Sequence, residues 1–169
     1  MNNFEDGPRR QQEIRCRPTA DKIYKEYFGD NINIIRGEDL ILDKYFAIDV
    51  RIILGNGMNL LGQEKFLSAE YAKYGTVTVE YYQNQFTKEQ GDWFKLGVQI
   101  YLVGYEHSSG FLPYVLLDWT KVSILSNNNV IRWNHNSNKN GKAKASFAYV
   151  KMNDIPKECI LASKLANIG

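Results

Sequence analysis

From Tyr45 to Leu54 apolar and polar positions alternate, which predicts a strand with two unlike faces. Phe46, Ile48, Val50, Ile52 and Leu54 lie on one face, and Tyr45, Ala47, Asp49, Arg51 and Ile53 on the other. Gly55-Asn56-Gly57 is a turn signal, so Met58 to Leu67 reads as the returning strand. A third strand is expected over Thr76 to Tyr82, a stretch of β-branched and aromatic residues. Upstream, Pro18-Thr19-Ala20 opens a helix that stops at Gly29-Asp30, with Ala20, Ile23, Tyr24, Tyr27 and Phe28 on one face. Ile32 to Ile35 reads as a short strand or as an extended link to the sheet. Downstream, Asp92 to Tyr105 predicts a helix, because Trp93, Leu96, Gly97, Ile100 and Gly104 recur at helical spacing. A strand is expected at Tyr114 to Leu117, and Asp118 is placed to cap a helix over Thr120 to Leu125. Asn127 to Gly141 reads as a loop containing a short strand at Val130 to Trp133. Ser146 to Met152 predicts a final strand, and Ile155 to Ala166 a terminal helix with Pro156 in its first turn.

This order gives an α/β (α+β) layer fold: a mixed sheet with a three-strand meander, flanked by helices. A chain of 169 residues with 44% hydrophobic content fits one domain, expected over 13–169 behind a loose polar arm at 1–12. The apolar runs are too short for a membrane span, and the first residues lack the apolar centre of a secretory signal. Cys16 and Cys159 are isolated, which suits free thiols in a reducing, cytoplasmic setting. A net charge of +2 neither announces nor excludes nucleic acid, because a basic groove can sit on a balanced surface. Phosphate-binding glycine loops and nucleophile elbows do not occur in the sequence.

The hairpin register follows from the side-chain pattern. A one-residue slip would send every side chain to the other face, so apolar positions decide between turn lengths. The apolar face of the first strand is even-numbered, and Met58, Leu60 and Phe66 on the second are even as well. Directly opposed residues share a face, so their numbers must sum to an even value. The three-residue turn Gly55-Asn56-Gly57 satisfies that condition and a two-residue turn does not. Asp49 then opposes Gln63, and Asp49, Gln63 and Lys65 share one face, with Glu64 directed to the other. A carboxylate, an amide oxygen and an ammonium suit phosphodiester hydrolysis. Oxygen donors hold a hard divalent cation, and a lysine steadies the attacking water or the charge of the transition state.

Asp49, a turn, and then Gln63-Glu64-Lys65 resembles the Asp…(Asp/Glu)-x-Lys signature of the PD-(D/E)XK (restriction-endonuclease-like) nuclease superfamily, in a Gln-x-Lys variant of small phage or bacterial type. The resemblance extends over roughly 13–117 through the helix, meander and following helix. It implies a nuclease that cleaves DNA with Mg²⁺ or Mn²⁺, often as a homodimer. Asp49 matches the metal-binding aspartate, Lys65 the catalytic lysine, and Gln63 the second carboxylate position. The departure at Gln63 removes a negative charge and leaves two arrangements open, with either Gln63 or, through a bulge, Glu64 as the second ligand. The family often adds an acid from the N-terminal helix, for which Asp21 is the candidate. Glu80 on the third strand is a further candidate metal ligand. Arg132, Trp133, Lys139, Lys142 and Lys144 combine cations with an aromatic ring and are candidates for nucleic-acid contact. The alternative from another class is a non-catalytic nucleic-acid-binding or inhibitory protein that keeps the nuclease-like fold.

Overall fold

The computed structural model describes residues 7–36, 45–136 and 144–165. Helix α1 (Pro8–Phe28) is followed by β1 (Asn33–Arg36), β2 (Val50–Ile53), β3 (Asn59–Leu67), β4 (Thr76–Asn84), β5 (Glu89–Gln90), β6 (Ile100–His107) and β7 (Gly110–Asp118). Then come helix α2 (Trp119–Asn127), β8 (Asn134–Asn136), β9 (Ser146–Lys151) and β10 (Ile160–Lys164). The strands form a six-stranded mixed sheet of order β1-β2-β3-β6-β7-β10 and a four-stranded sheet of order β5-β4-β9-β8. The α+β class expected from the sequence is the one observed.

The β2–β3 hairpin has the expected register: Val50 opposes Gly62 and Ile52 opposes Leu60. Leu54 N–H donates to the Met58 carbonyl at 2.8 Å, and Gly57 takes the positive φ of 85° that closes the turn. Val50 and Ile52 are fully buried against α1, which contributes Cys16, Ala20, Ile23 and Tyr24 to the same apolar cluster. Burial of each such side chain is worth about 1.5–3 kcal/mol relative to leaving it in water.

Several expectations are corrected. The third strand of the meander is β1, paired antiparallel with β2, whereas Thr76–Asn84 belongs to the second sheet. Asp92 to Tyr105 is not a helix: a 3₁₀ turn covers Asp92–Phe94, and β6 runs parallel to β3 and antiparallel to β7. Ile100 to Tyr105 are all buried, as befits a central strand covered on both faces. The terminal helix is replaced by a 3₁₀ turn at Lys157–Cys159 and by β10, which pairs with the otherwise open edge of β7. Helix α1 begins at Pro8, so most of the described part of the expected arm is helical and Pro18 lies inside the helix. Pro8 suits a first turn, where its missing N–H has no intrahelical partner to lose. The short strand expected at Val130 to Trp133 forms instead at Asn134–Asn136. The capped helix after Asp118 does form, and the Asp118 carboxylate accepts from Lys121 N–H at 3.1 Å.

The second sheet meets the first along the free edge of β4. Tyr101 on β6 donates its hydroxyl to the Thr78 carbonyl at 2.8 Å, and Tyr105 donates to the Thr76 carbonyl at 2.9 Å. Thr76 N–H in turn donates to the Tyr105 hydroxyl at 3.1 Å. Side chains of β4 therefore fall alternately to either side of this seam. Val77 and Val79 enter an apolar compartment with Val103, Val115, Leu117, Val150 and Met152. Glu80 opposes Phe147 on β9, whose ring lies 5.7 Å from the Lys65 ammonium. The polar compartment is thus bounded by β3 below and β4–β9 beside it.

Tyr105→Phe would leave the buried Thr76 N–H and carbonyl without these partners, at a cost of about 1–3 kcal/mol. Urea unfolding should show a lowered midpoint with an unchanged slope. An unchanged midpoint would show that the seam does not depend on this hydroxyl.

Candidate functional site

The backbone approaches the site through Ala47, whose φ of 49° breaks the alternation expected from residue 46 onward. Phe46 is consequently exposed, and Ile48 packs in the apolar compartment rather than beside Val50 and Ile52. Asp49 N–H then donates to the Gly62 carbonyl at 2.9 Å, and its carboxylate Oδ2 accepts from Glu64 N–H at 3.0 Å. Asp49 is thereby fastened to the β3 backbone where Gln63 and Lys65 project.

Gln63 is 7% exposed, and its Oε1 is buried with no hydrogen-bond donor among the described residues. An orphaned acceptor of this kind is uncommon in a native interior. Lys65 likewise has no carboxylate within ion-pair distance among the described residues, and its ammonium lies 5.7 Å from the centre of the Phe147 ring. Burial lowers the Lys65 pKa from its ordinary value of 10.5, and Arg9 lowers it further, while Asp92, Glu80 and Asp49 oppose the shift. Glu80 is pushed above the usual carboxylate range by burial and then by Asp92, against the pull of Lys65. Tyr101, next to Gln63 in the β3–β6 register, is raised well above its ordinary value by burial, with Asp92 and Asp49 adding to the effect. Asp49, Gln63, Lys65, Glu80 and Asp92 therefore belong to one electrostatic neighbourhood.

Asp92 was not legible as part of this group. It follows Gly91, whose N–H donates to the Tyr81 carbonyl at 2.9 Å. A Cβ at residue 91 would come within 2.6 Å of the Glu80 carbonyl oxygen, so the return of the chain beside Glu80 requires glycine. The Gly91-Asp92 pair beside a strand carrying Glu80 was the available signal. Asp92 also contacts Lys95 at 3.4 Å.

Glu64 and Asp21 are used elsewhere. Glu64 faces α1, where Arg36 Nε and Nη2 each reach its carboxylate at 2.9 Å and the Tyr24 hydroxyl donates at 3.1 Å. Arg36 Nη1 also forms an ion pair with Asp21 Oδ1 at 2.6 Å. Burial alone would lower the Arg36 pKa, but Glu64 and Asp21 hold it above its ordinary range. The side chains of Glu64 and Arg36 are 5% and 12% exposed, so this is a buried, charge-compensated clamp between helix and sheet. Of the two arrangements for the second ligand, the structure puts Gln63 on the Asp49–Lys65 side and the Glu64 side chain on the other.

A groove of about 230 Å³ leads to Lys65 between the start of α1 and the end of β3, lined by Arg9, Gln12, Ser68 and Tyr71 among others. Of the expected basic cluster, Arg132 and Lys144 are exposed. Trp133 is turned inward: its Nε1 donates to Ser126 Oγ at 2.9 Å, and its ring packs against Trp93 and Trp119. Lys139 and Lys142 lie outside the described residues. Among the described residues, no three His, Cys, Asp or Glu side chains gather closely enough to cage a metal by themselves. Compared with protein-family models, curated proteins and solved structures, the chain matches none.

Arg36→Met would strand Glu64 as a buried charge, which costs about 3–5 kcal/mol. The double variant Arg36→Met/Glu64→Leu should recover most of that loss in chemical denaturation, and failure to recover would contradict the clamp. Lys65 gives a second test, through pH. Between its lowered native pKa and the ordinary 10.5, the unfolded chain holds a proton that the native chain has released. Stability should therefore rise with pH across that window. The rise should disappear in Lys65→Met, measured by unfolding at a series of alkaline pH values.

Proposed function

We propose that this chain is a metal-dependent nuclease that hydrolyses DNA phosphodiester bonds in the compartment between β3 and β4. The observation that carries the reading is the buried, unpartnered Gln63 Oε1 on the same face as Asp49 and the unpaired Lys65. A buried acceptor oxygen with no donor among the described residues is disposed for a cation. The donor set fits a hard divalent ion: Asp49, just before β2, and Gln63 on β3 would supply oxygens, and Glu80 would add a carboxylate from the second sheet. Mg²⁺ commonly takes only one or two protein carboxylates and keeps several waters, which a set of this size would allow. When bound, such an ion would polarise the phosphate and acidify a water.

The chain's own groups supply the remainder. Lys65 has its ammonium in a largely desolvated position, so an entering phosphate meets a cation that breaks no internal ion pair to receive it. The same ammonium can stabilise negative charge building on the phosphate oxygens. Arg9, which lines the groove with its ion-pair partner Glu13, adds positive charge beside Lys65. The Asp49 carboxylate is oriented by the Glu64 N–H, a backbone donor.

Supercoiled plasmid and single-stranded DNA, incubated with Mg²⁺, Mn²⁺ or EDTA, test the proposal. Cutting should require metal and fall by about 10²-fold or more in Asp49→Ala and in Lys65→Met. Gln63→Glu should lower the metal concentration needed for half-maximal cutting, since a carboxylate binds a hard cation more strongly than an amide. Binding without cutting in any metal would favour a non-catalytic nucleic-acid-binding protein, a reading supported by the neutral side chain at Gln63. Neither binding nor cutting would overturn both.

A further inference from the structure

Beside the carboxylates Glu80 and Asp92 the surface turns aromatic. Phe94, two residues beyond Asp92, is 43% exposed and stacks on Tyr82 with centroids 5.9 Å apart and planes 25° apart. Its ring also meets Tyr81 at 4.8 Å. Tyr81 in turn contacts half-buried Trp93 and exposed His135. Lys88 holds its ammonium 5.1 Å from the Tyr82 ring centre. Phe86, in the turn of the β4–β5 hairpin that also carries Lys88, is 64% exposed. Gln85 N–H donates to the Lys144 carbonyl at 2.7 Å, which places exposed Lys144 on the flank of this hairpin.

We propose that the Tyr82–Phe94 surface stacks the unpaired bases of single-stranded DNA and so delivers that strand to the adjoining compartment. The proposal rests on the nuclease reading for the presence of a nucleic acid, but it is tested by binding alone. Two features on the page select the occupant. First, the rings are flanked by the cations Lys88 and Lys144, so a ligand that meets both offers an apolar, uncharged part to the rings and an anionic part to the lysines. A base attached to a sugar–phosphate backbone has that division. Second, the faces of bases in a duplex are already stacked, whereas in a single strand they are free to leave their neighbours for a protein ring. Trp133, the ring that the sequence offered for this task, is committed to the interior, and Phe94 takes its place.

The test is fluorescence anisotropy with a labelled oligothymidine and with its duplex, first in EDTA and then in Ca²⁺, using the full chain. Wild type should bind the single strand more tightly than the duplex. Phe94→Ala should weaken single-strand binding by roughly tenfold, in line with the loss of one base–aromatic stack. Phe94→Trp should restore it and Phe94→Leu should not, which separates stacking from simple apolar contact. Tightest binding to duplex, unchanged binding in Phe94→Ala, wild-type binding in Phe94→Leu, or no binding in either solution would each overturn the proposal. The two readings fail separately. Metal-dependent cutting with unaltered binding in Phe94→Ala removes the platform and leaves the nuclease, whereas ring-dependent binding without cutting removes the nuclease and leaves the platform.

Discussion

The two hydroxyls of Tyr101 and Tyr105 hold the edge of β4 onto the face of β6, and the division of the interior depends on that seam. A strand edge carries unpaired backbone groups that are costly to bury unless something meets them. Here phenols rising from the first sheet meet them, and Thr76 and Thr78 are the points of contact. Because the edge rather than a face lands on β6, the alternation of β4 is split between two environments. Val77 and Val79 join the apolar interior, and Glu80 joins the polar pocket above β3. Burial raises the Tyr101 phenol well above its ordinary value, so it remains a donor to the Thr78 carbonyl that it supports.

β3 has a comparable division along its own length. Gln63 and Lys65 point toward the second sheet, and Glu64 between them points toward α1. The Glu64 carboxylate binds the helix side through Arg36 and Tyr24, while its N–H orients Asp49 on the other. One residue therefore connects the position of α1 to the position of Asp49. Buried ion pairs often contribute little net stability against apolar replacements, but they discriminate sharply between correct and slipped arrangements. That role fits a strand whose displacement by a single residue would exchange Glu64 with Lys65.

The local, periodic part of this organisation was legible in the sequence. Even-numbered Val50, Ile52, Leu60 and Phe66 forced the β2–β3 register, and with it the shared face of Asp49, Gln63 and Lys65. Asp118 announced a helix that formed. Where several periods fitted equally well the sequence misled: Ile100 to Tyr105 is apolar at every position, so helical spacing could be found in it although it forms the central strand. Ala47 breaks the alternation through a backbone angle that its side chain does not advertise. Arg36 and Asp92 were missed for another reason. Their importance comes from residues far away in the chain, namely Glu64 for the first and Glu80 and Lys65 for the second, and no local pattern encodes those meetings.

Parallel neighbours such as β3 and β6 require a crossover connection, and this chain builds β4, β5 and the Asp92 turn within it. Glu80, Asp92 and Phe94 thus ride on the segment that must be looped out before the central sheet can close. Closing so long a loop is entropically slow and is rewarded only when the distant partners meet. A nascent chain that has formed only its first hairpin displays Asp49 and Lys65 without the wall that confines them. In the nascent chain the compartment around Asp49 and Lys65 is consequently completed only after the crossover has been made and β6 has paired with β3.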